Sequence, residues 1–192
     1  LLIRLLSQPH DKVLTMNPMY DAFINVIKEN DRELLSHHLI KEEGTFKIDF
    51  DVFEKQAQES ALLLLCSPHN PTGRIWSDEE MHRMIQICKK YQVKIISDEI
   101  HMDIRIKDAK HHPLMKYYDE YKEIFTASSS SKTLNTPGLI GSYVIIPDEK
   151  IRDEFLGVTR RRDFLNSASI FGMYATMIGY TCLLYTSPSP RD

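Results

Sequence analysis

Short apolar runs alternate with amphipathic segments along this chain, and the alternation predicts a mixed α/β fold. The run Ser60–Cys66 is apolar almost throughout, which is typical of a parallel strand covered on both faces. Shorter apolar runs at Lys12–Met16, Val93–Ile96 and Glu123–Thr126 predict further strands. After the strand predicted at Lys12–Met16, the segment Asp21–Lys28 places its apolar residues on one face of a helix. This order of elements indicates a three-layer α/β sandwich with a mainly parallel sheet.

Capping signals place the start of two predicted helices. Asp49 is suited to cap a helix over 50–58, because its carboxylate can accept hydrogen bonds from the free N–H groups of the first turn. Ser77 followed by Glu80 has the spacing of a capping box. The remaining predicted elements are a helical segment at Leu1–Leu6, a strand at Glu33–Ile40, a turn at Lys41–Thr45, a strand at Ser142–Ile146, and helices at Asp148–Arg160 and Ser167–Tyr180.

The composition is that of an ordinary globular protein and excludes some functions. The chain has 192 residues, 42% of them hydrophobic and 27% charged, and a formal net charge of −3. A weakly acidic chain offers no basic surface for nucleic acid or for an anionic membrane. No apolar run reaches the roughly 20 residues of a membrane span. Cys66 and Cys88 form no CxxC motif, which favours a reduced, cytoplasmic setting.

The C-terminal segment departs from this pattern. Residues 182–192 have the sequence CLLYTSPSPRD, which resembles, residue for residue, the translation of a transposon-type sequencing-library adapter. We therefore expect this segment to be non-native and separate it from residues 1–181. The alternative is a native, disordered tail rich in Pro and Ser. The chain begins inside a helical pattern and without Met, so we also expect the sequence to start within a fold.

Three polar residues each lie just beyond the carboxyl end of a different predicted strand: Asn70, Asp98 and Lys132. In parallel α/β sheets ligands bind at this edge, so these side chains are expected to converge on one site. Lys132 lies within the Ser-rich segment Ala127–Gly141, whose hydroxyl and N–H groups suit a phosphate. Its amine can form a Schiff base with a carbonyl cofactor. A surface lysine is the plain alternative.

Three motifs, in their order and spacing, carry a family resemblance: CSPHNPTG at 66–73, SDEIH at 97–101 and SSSKTLN at 129–135. Together they resemble the fold-type-I pyridoxal 5′-phosphate (PLP) enzymes. More narrowly, the chain is similar to the cystathionine β-lyase branch of the class I/II aminotransferase family. The resemblance covers residues 1–181. It implies a partial PLP-binding large domain, cut at both ends.

The resemblance implies a role for each residue that matches a family position. Lys132 matches the catalytic lysine that forms a Schiff base with PLP and moves the substrate Cα proton. Asp98 matches the carboxylate that pairs with the pyridine nitrogen, and Asn70 matches the asparagine bonded to the phenolic oxygen of the cofactor. His101 stands where many aminotransferases have a tyrosine. The lyase branch often has a histidine there, although a purely structural His101 is an alternative.

Three further residues match positions that contact PLP in the family. Tyr20 matches the aromatic residue that stacks on the pyridine ring, with a core tyrosine as the alternative. Ser129 and Ser131 match hydroxyl groups around the phosphate, and Ser129 is the stronger match. Aspartate-type aminotransferases have a phosphate-binding arginine eight residues after the lysine. Ile140 occupies that position here, which disfavours an aspartate aminotransferase.

The activity implied by the resemblance is β-elimination on a sulfur amino acid such as cystathionine. The first alternative is an aminotransferase, and the second is the PLP-binding sensor domain of a transcription regulator. The resemblance also implies a homodimer that acts on a small amino-acid substrate. The family's phosphate loop and its substrate-carboxylate arginine are expected outside 1–181, so this polypeptide alone is predicted to be inactive. The pairs His37-His38 and His111-His112 lack metal-site spacing, and we interpret them as surface residues without a metal.

Overall fold

A six-stranded sheet forms the centre of the computed structural model, which describes residues 1–104, 110–165 and 168–181. The strands, in chain order, are β1 (Lys12–Asn17), β2 (Glu33–His38), β3 (Ile40–Glu42), β4 (Thr45–Lys47), β5 (Leu62–Cys66), β6 (Lys94–Asp98), β7 (Ile124–Ser128) and β8 (Tyr143–Ile145). The order in the sheet is β2-β1-β5-β6-β7-β8, with β8 antiparallel to β7 and the other pairs parallel. The strands β3 and β4 form a separate antiparallel hairpin.

Helices cover both faces of this sheet. They are α1 (Leu2–Leu6), α2 (Asp21–Lys28), α3 (Phe50–Ala57), α4 (Asp78–Lys90), α5 (Glu149–Gly157) and α6 (Ile170–Thr181), with a 3₁₀ helix at Leu114–Tyr117 and a π-helical turn at Val158–Arg162. No helix in the described ranges is long and apolar enough to cross a membrane.

The central strand β5 shows how the sequence builds three layers. All five of its side chains are buried, as the continuous apolar run predicts. Leu63 and Leu65 pack in one core cluster, with α3 and α4, whereas Leu62 and Leu64 pack in a second cluster, with α1 and α2. Successive side chains of a strand point to opposite faces, so one apolar strand supplies both cores. The predicted three-layer α/β sandwich with a mainly parallel sheet is confirmed.

The predicted caps are present, and several predicted boundaries differ from those of the structure. The Asp49 carboxylate accepts from the backbone N–H groups of residues 51 and 52, and Ser77 and Glu80 form the capping box. The predicted strand over 33–40 instead ends at His38, and the predicted turn over 41–45 belongs to the hairpin β3–β4. The helix predicted over 148–160 changes to a π-helical turn after Gly157. Ser167, the predicted start of the last helix, lies outside the described residues.

The interpretation of the two histidine pairs as surface residues is wrong for one member of each pair. His37 is fully buried, its Nδ1 lies 2.8 Å from Gln56 Oε1, and burial lowers its pKa. The His111 side chain is largely buried, with Nε2 3.2 Å from Glu99 Oε2. Both partners come from distant parts of the chain. Local sequence therefore gave no sign of either contact.

The helix α6 packs against the segment that follows β7, and glycine permits the close approach. A Cβ atom at Gly172 would lie 2.1 Å from the Leu139 carbonyl oxygen, and one at Gly179 would lie 2.1 Å from Leu134 Cδ1. Between these two glycines, the hydroxyl groups of Ser130 and Thr176 are 2.9 Å apart. The position of the predicted lysine segment therefore depends on α6.

Gly172→Ala is expected to destabilise the complete gene product by about 1–3 kcal/mol, because the new methyl group meets a backbone oxygen that cannot rotate away. Gly157→Ala is the matched control, since a Cβ atom there meets nothing within 4 Å. The control should be neutral or slightly stabilising, because Ala favours a helix over Gly. Urea unfolding measures both. Equal stability of the Gly172→Ala variant and the wild type would contradict this packing of α6.

Candidate active site

The predicted site residues lie along one edge of the sheet, at the carboxyl ends of its parallel strands. Strand pairing sets Cys66, Asp98 and Ala127 side by side at the ends of β5, β6 and β7. Asn70 lies in the loop that follows β5, and Lys132 lies in the turn that follows β7. Three consecutive neighbours of the sheet, β5, β6 and β7, thus contribute to one region, as the sequence predicts.

Asp98 is a largely desolvated carboxylate without a cationic partner in the described ranges. Burial raises its pKa, and the negative charge of Glu99 adds to this effect. The backbone N–H of Ile100, 3.1 Å from Oδ1, and the nearby His101 ring oppose it. Burying an ionised carboxylate is unfavourable unless an opposite charge or several donors compensate it. Asp98 is therefore suited to a ligand that brings a positive charge.

A cavity of about 390 Å³ adjoins Asp98. Its polar lining includes Asp98 and Ser129, and its apolar lining includes Phe23, Leu64 and Ile96. A few polar groups among apolar walls are typical of a site for a small organic ligand. An aromatic ring that carries a protonated nitrogen has the matching chemistry, since its faces are apolar and its charge can pair with the carboxylate.

Asn70 is held by a tightly bonded loop. The backbone N–H of His69 donates to the Arg74 carbonyl at 2.7 Å, and the N–H of Gly73 donates to the His69 carbonyl at 2.8 Å. Gly73 has φ +70°, a conformation in which other residues are strained. The buried His69 ring lies 2.7 Å, at Nδ1, from the Thr72 hydroxyl. These contacts fix the loop from which Asn70 reaches the site.

Lowering the pH from 7 to 4 is expected to destabilise the protein through His69. Burial lowers the pKa of His69 to about 4, and the nearby Met16 carbonyl only partly opposes this. The unfolded chain then binds a proton near pH 6.5 while the folded chain does not. The stability supplied by the neutral ring is present above that pH, and roughly 3 kcal/mol of it is lost toward pH 4.

Urea unfolding at several pH values of the wild type and of His69→Gln tests this dependence. The variant should lose less stability between pH 6.5 and 4, because its side chain does not titrate. His37, whose pKa burial also lowers, adds to the slope in both proteins, so only the difference between them is informative. His10→Gln, at an exposed position, is the control. Equal slopes for the wild type and His69→Gln would contradict the prediction.

His101 and Asn70 line the same pocket, which has a volume of about 190 Å³. Burial lowers the pKa of His101, the positive charge of Lys132 adds to this shift, and Asp98 opposes it. His101 is therefore mainly neutral at neutral pH, and it lies within the electrostatic reach of both residues. A neutral imidazole and an amide can each donate a hydrogen bond to one ligand oxygen. The pair fits the role predicted for both residues.

Lys132 lies in a turn built by its serine neighbours. The N–H of Leu134 donates to the Ser130 carbonyl at 2.9 Å, and the N–H of Thr136 donates to the Ser131 carbonyl at 2.9 Å. The Ser129 hydroxyl accepts from the Ser131 N–H at 3.2 Å and donates to the Gly141 carbonyl. Lys132 itself is exposed.

Ser129, Ser131 and Tyr20 stay predictions as cofactor contacts. Ser129 lines the larger cavity, although its hydroxyl is already bonded within the protein, and Ser131 is only partly buried. Tyr20 precedes α2 and is 46% exposed, so it is not a core tyrosine. Its ring packs edge-on against Phe23, 6.0 Å between centroids, and Phe23 lines the larger cavity. This places the Tyr20 ring beside the cavity.

Two residues around the site were not singled out by sequence reasoning. His69 and Glu99 lie within the recognised motifs, but each is one residue away from the position that matches the family. Their burial, 3% and 1% exposed, depends on the fold around them. Cys66 is also buried here, and burial raises the pKa of its thiol to about 12.

Residues 1–178 match the family described as aminotransferase class I and II, and the chain belongs to this family. Among curated proteins, it is 32% identical to cystathionine β-lyase PatB of Bacillus subtilis over 93% of this chain and 47% of that protein. It is 35% identical to Protein MalY of Escherichia coli over 93% of this chain and 46% of that protein. The chain thus spans about half the length of the curated relatives it matches.

Solved structures give the same picture. The PLP-bound C-S lyase of Staphylococcus hominis is 32% identical with a TM-score of 0.89, over 95% of this chain and 46% of that one. Cystalysin of Treponema denticola, which contains pyridoxal 5′-phosphate, is 31% identical with a TM-score of 0.86. The match covers 94% of this chain and 46% of that one. A PLP-bound protein of Clostridium difficile with a provisional aminotransferase name is 38% identical, with a TM-score of 0.89. The match covers 94% of this chain and 47% of that one.

Proposed function

We propose that this chain is part of the PLP-binding domain of a carbon–sulfur β-lyase. The observation that carries the proposal is the desolvated Asp98 carboxylate, which lies on the same sheet edge as Asn70, His101 and Lys132 and adjoins a cavity of about 390 Å³. Similarity to PatB and to two solved C-S lyases supports the reaction class. The cytoplasm is the proposed compartment, since Cys66 and Cys88 are free and buried.

The residues present fit PLP. Asp98 would pair with the protonated pyridine nitrogen, which supplies the positive charge that this buried carboxylate lacks. Asn70 and the neutral His101 would donate to the phenolic oxygen, and Tyr20 would stack on the ring. Hydroxyl groups of Ser129 and Ser131 would bind the phosphate. When bound, PLP supplies an electron sink that accepts the electron pair left on the substrate Cα after its proton departs.

Lys132 performs the proton transfer in this proposal. Its amine would hold the cofactor covalently, and the same amine would serve as the base at the substrate Cα. The freed amine then removes the Cα proton of the substrate. The Cβ–S bond breaks, and its electron pair leaves with the sulfur as a thiolate. Hydrolysis of the remaining three-carbon fragment gives pyruvate and ammonia. Asp98 would keep the ring nitrogen of a bound cofactor protonated, and the positive charge there would stabilise the electron pair.

The test uses the complete gene product with PLP and L-cystathionine, without any keto acid. Sustained release of pyruvate together with a free thiol is the expected result. An aminotransferase is the second candidate, because the family bears that name and one 38% identical structure does so provisionally. Formation of a new amino acid only after a keto acid is added would replace the lyase by that candidate. A complete gene product that forms no Schiff base with PLP would overturn both.

We also propose that the complete protein is a homodimer. Four side chains of α6 form an exposed apolar face, namely Phe171, Tyr174, Met177 and Ile178, which are 59–75% exposed. Contiguous apolar surface of this kind marks a contact with another subunit or with further parts of the protein. Sedimentation velocity on the complete gene product should give a dimer. A monomer at micromolar concentration would contradict the proposed dimer and would mean that another part of the same protein covers the apolar face of α6.

A further inference from the structure

Glu99 follows Asp98 directly and is anchored by its main chain. Its N–H donates to the Ala127 carbonyl at 2.8 Å, which extends the β6–β7 ladder by one residue. Its carbonyl accepts from the Met102 N–H at 2.9 Å and from the Ser128 hydroxyl at 3.1 Å. The bond from Met102 closes the turn that presents His101. The main chain of Glu99 therefore fixes the corner between two predicted cofactor contacts.

The side chain of Glu99 makes a second, independent set of bonds. Oε1 accepts from the backbone N–H of Leu114 at 2.8 Å, and Oε2 accepts from Nε2–H of His111 at 3.2 Å. Only 2% of the Glu99 side chain and 10% of the His111 side chain are exposed. Leu114 is fully buried in the core. A desolvated carboxylate with these donors is held strongly, because breaking either bond leaves charge unpaired in the interior.

These bonds connect the residues that follow β6 with those around Leu114. The chain leaves the sheet at Asp98, carries His101, and returns to the core at Leu114. Glu99 binds the departing end through its main chain and the returning end through its carboxylate. Because the members of a buried network move together, the Glu99 carboxylate couples the corner at Asp98 and His101 to the core around Leu114. Neither Glu99 nor His111 lines either of the two pockets described above, so these residues can affect a bound cofactor only through their neighbours.

We propose that Glu99 and His111 are positioning residues for the cofactor, holding Asp98 and His101 where they meet the pyridine ring and its phenolic oxygen. This inference rests on the proposed function, because it concerns the same PLP site. The inference adds the buried pair of Glu99 and His111, which lies behind Asp98 and His101 and determines their geometry.

The test compares variants of the complete gene product by titrating each apoprotein with PLP and following the Schiff-base absorbance. Glu99→Ala should weaken PLP binding about tenfold or more, since it frees the corner that carries Asp98 and His101. Glu99→Gln still accepts from the Leu114 N–H and should lose less. His111→Gln places an amide nitrogen near the position of Nε2 and should bind PLP better than His111→Ala. Glu123→Gln is the matched control, because Glu123 precedes β7, at the opposite edge of the same sheet.

A second readout separates positioning from general stability. Circular dichroism of the bound cofactor reports its orientation, and thermal unfolding of the apoproteins reports stability alone. A weaker cofactor dichroism in Glu99→Ala at saturating PLP is the expected result. Unchanged PLP affinity and dichroism with a lowered unfolding temperature would overturn the proposal, as would equal losses in Glu123→Gln. If Glu99→Ala does not fold, Glu99→Gln and the two His111 variants decide by the same criteria. If the wild-type protein forms no Schiff base with PLP, the proposed function itself is wrong.

Discussion

Lys132→Ala in the complete gene product is expected to abolish both the Schiff-base absorbance with PLP and the release of pyruvate from L-cystathionine. In the proposed function this amine bonds to the cofactor and carries the Cα proton, so the substitution removes both roles at once. Removal of a positioned proton-transfer group alone costs about 10²–10⁴-fold in rate. Loss of the covalent attachment adds to that effect. We therefore expect turnover to fall below detection.

The loss should be specific to chemistry. Lys132 is exposed, and the turn around it is closed by backbone and serine groups, so the variant should fold like the wild type. Lys122→Ala is the control, because that exposed lysine, bonded to Asp119, lies just before β7 at the opposite end of the strand. The control should keep the absorbance and the turnover. A Schiff base that survives in Lys132→Ala would show that another lysine holds the cofactor.

Asp98→Asn is expected to reduce elimination by about 10²–10³-fold and to stabilise the apoprotein at the same time. Loss of one preorganised electrostatic partner typically has an effect of this size on rate. The amide keeps an oxygen that can accept from the Ile100 N–H, but it cannot hold a proton on the pyridine nitrogen. The rate should fall mainly in kcat, since the charge matters most when the electron pair moves to the ring.

The stability gain follows from the direction of the pKa shift. Burial raises the pKa of Asp98 in the folded protein above its value in the unfolded chain. The group then favours folding only while it is protonated, and this stabilisation is lost as the pH rises through the folded pKa. At pH 7 the ionised side chain is unfavourable in the apoprotein. An uncharged amide should add about 0.5–2 kcal/mol, in the range of substitutions that relieve a strained functional site.

Urea unfolding of the two apoproteins at pH 7 and near pH 4 tests this account. The advantage of Asp98→Asn should shrink at the lower pH, because the folded protein binds a proton at this carboxyl more readily than the unfolded chain does. Asp119→Asn, a fully exposed position, is the control and should change neither rate nor stability appreciably. A destabilised Asp98→Asn apoprotein would mean that Asp98 serves the fold. Full activity would mean that it does not pair with the cofactor.

Local patterns predicted the features that depend on local physics. The apolar run that forms β5, the Asp49 cap and the capping box at Ser77 each stabilise the element in which they occur, so the sequence shows them directly. Asp98 and Lys132 could be placed on one edge because parallel strands share a direction. The antiparallel β8 was not specified, since no local signal distinguishes the direction of a short edge strand.

Features that depend on a distant partner were missed. His37 is polar and was interpreted as exposed, but Gln56 and Phe53 of α3 enclose it. Glu99 and His111 are 12 positions apart in the sequence, and no residue beside either of them indicates the contact. Burial of a polar residue follows from its partners, and a single sequence does not identify those partners. The predicted contacts of Tyr20, Ser129 and Ser131 with the cofactor stay open for the same reason.

The buried thiol of Cys66, level with Asp98 in the sheet, has a consequence for the proposed lyase, which would release thiols. Products of this kind oxidise readily to disulfides, and disulfides exchange with any accessible thiolate nearby. With a pKa of about 12, the Cys66 thiol is almost entirely protonated at neutral pH, and it is also sealed from solvent. It therefore cannot form mixed disulfides with oxidised product. In the proposed lyase, Cys66 would therefore stay a free thiol while thiols and disulfides accumulate around the protein.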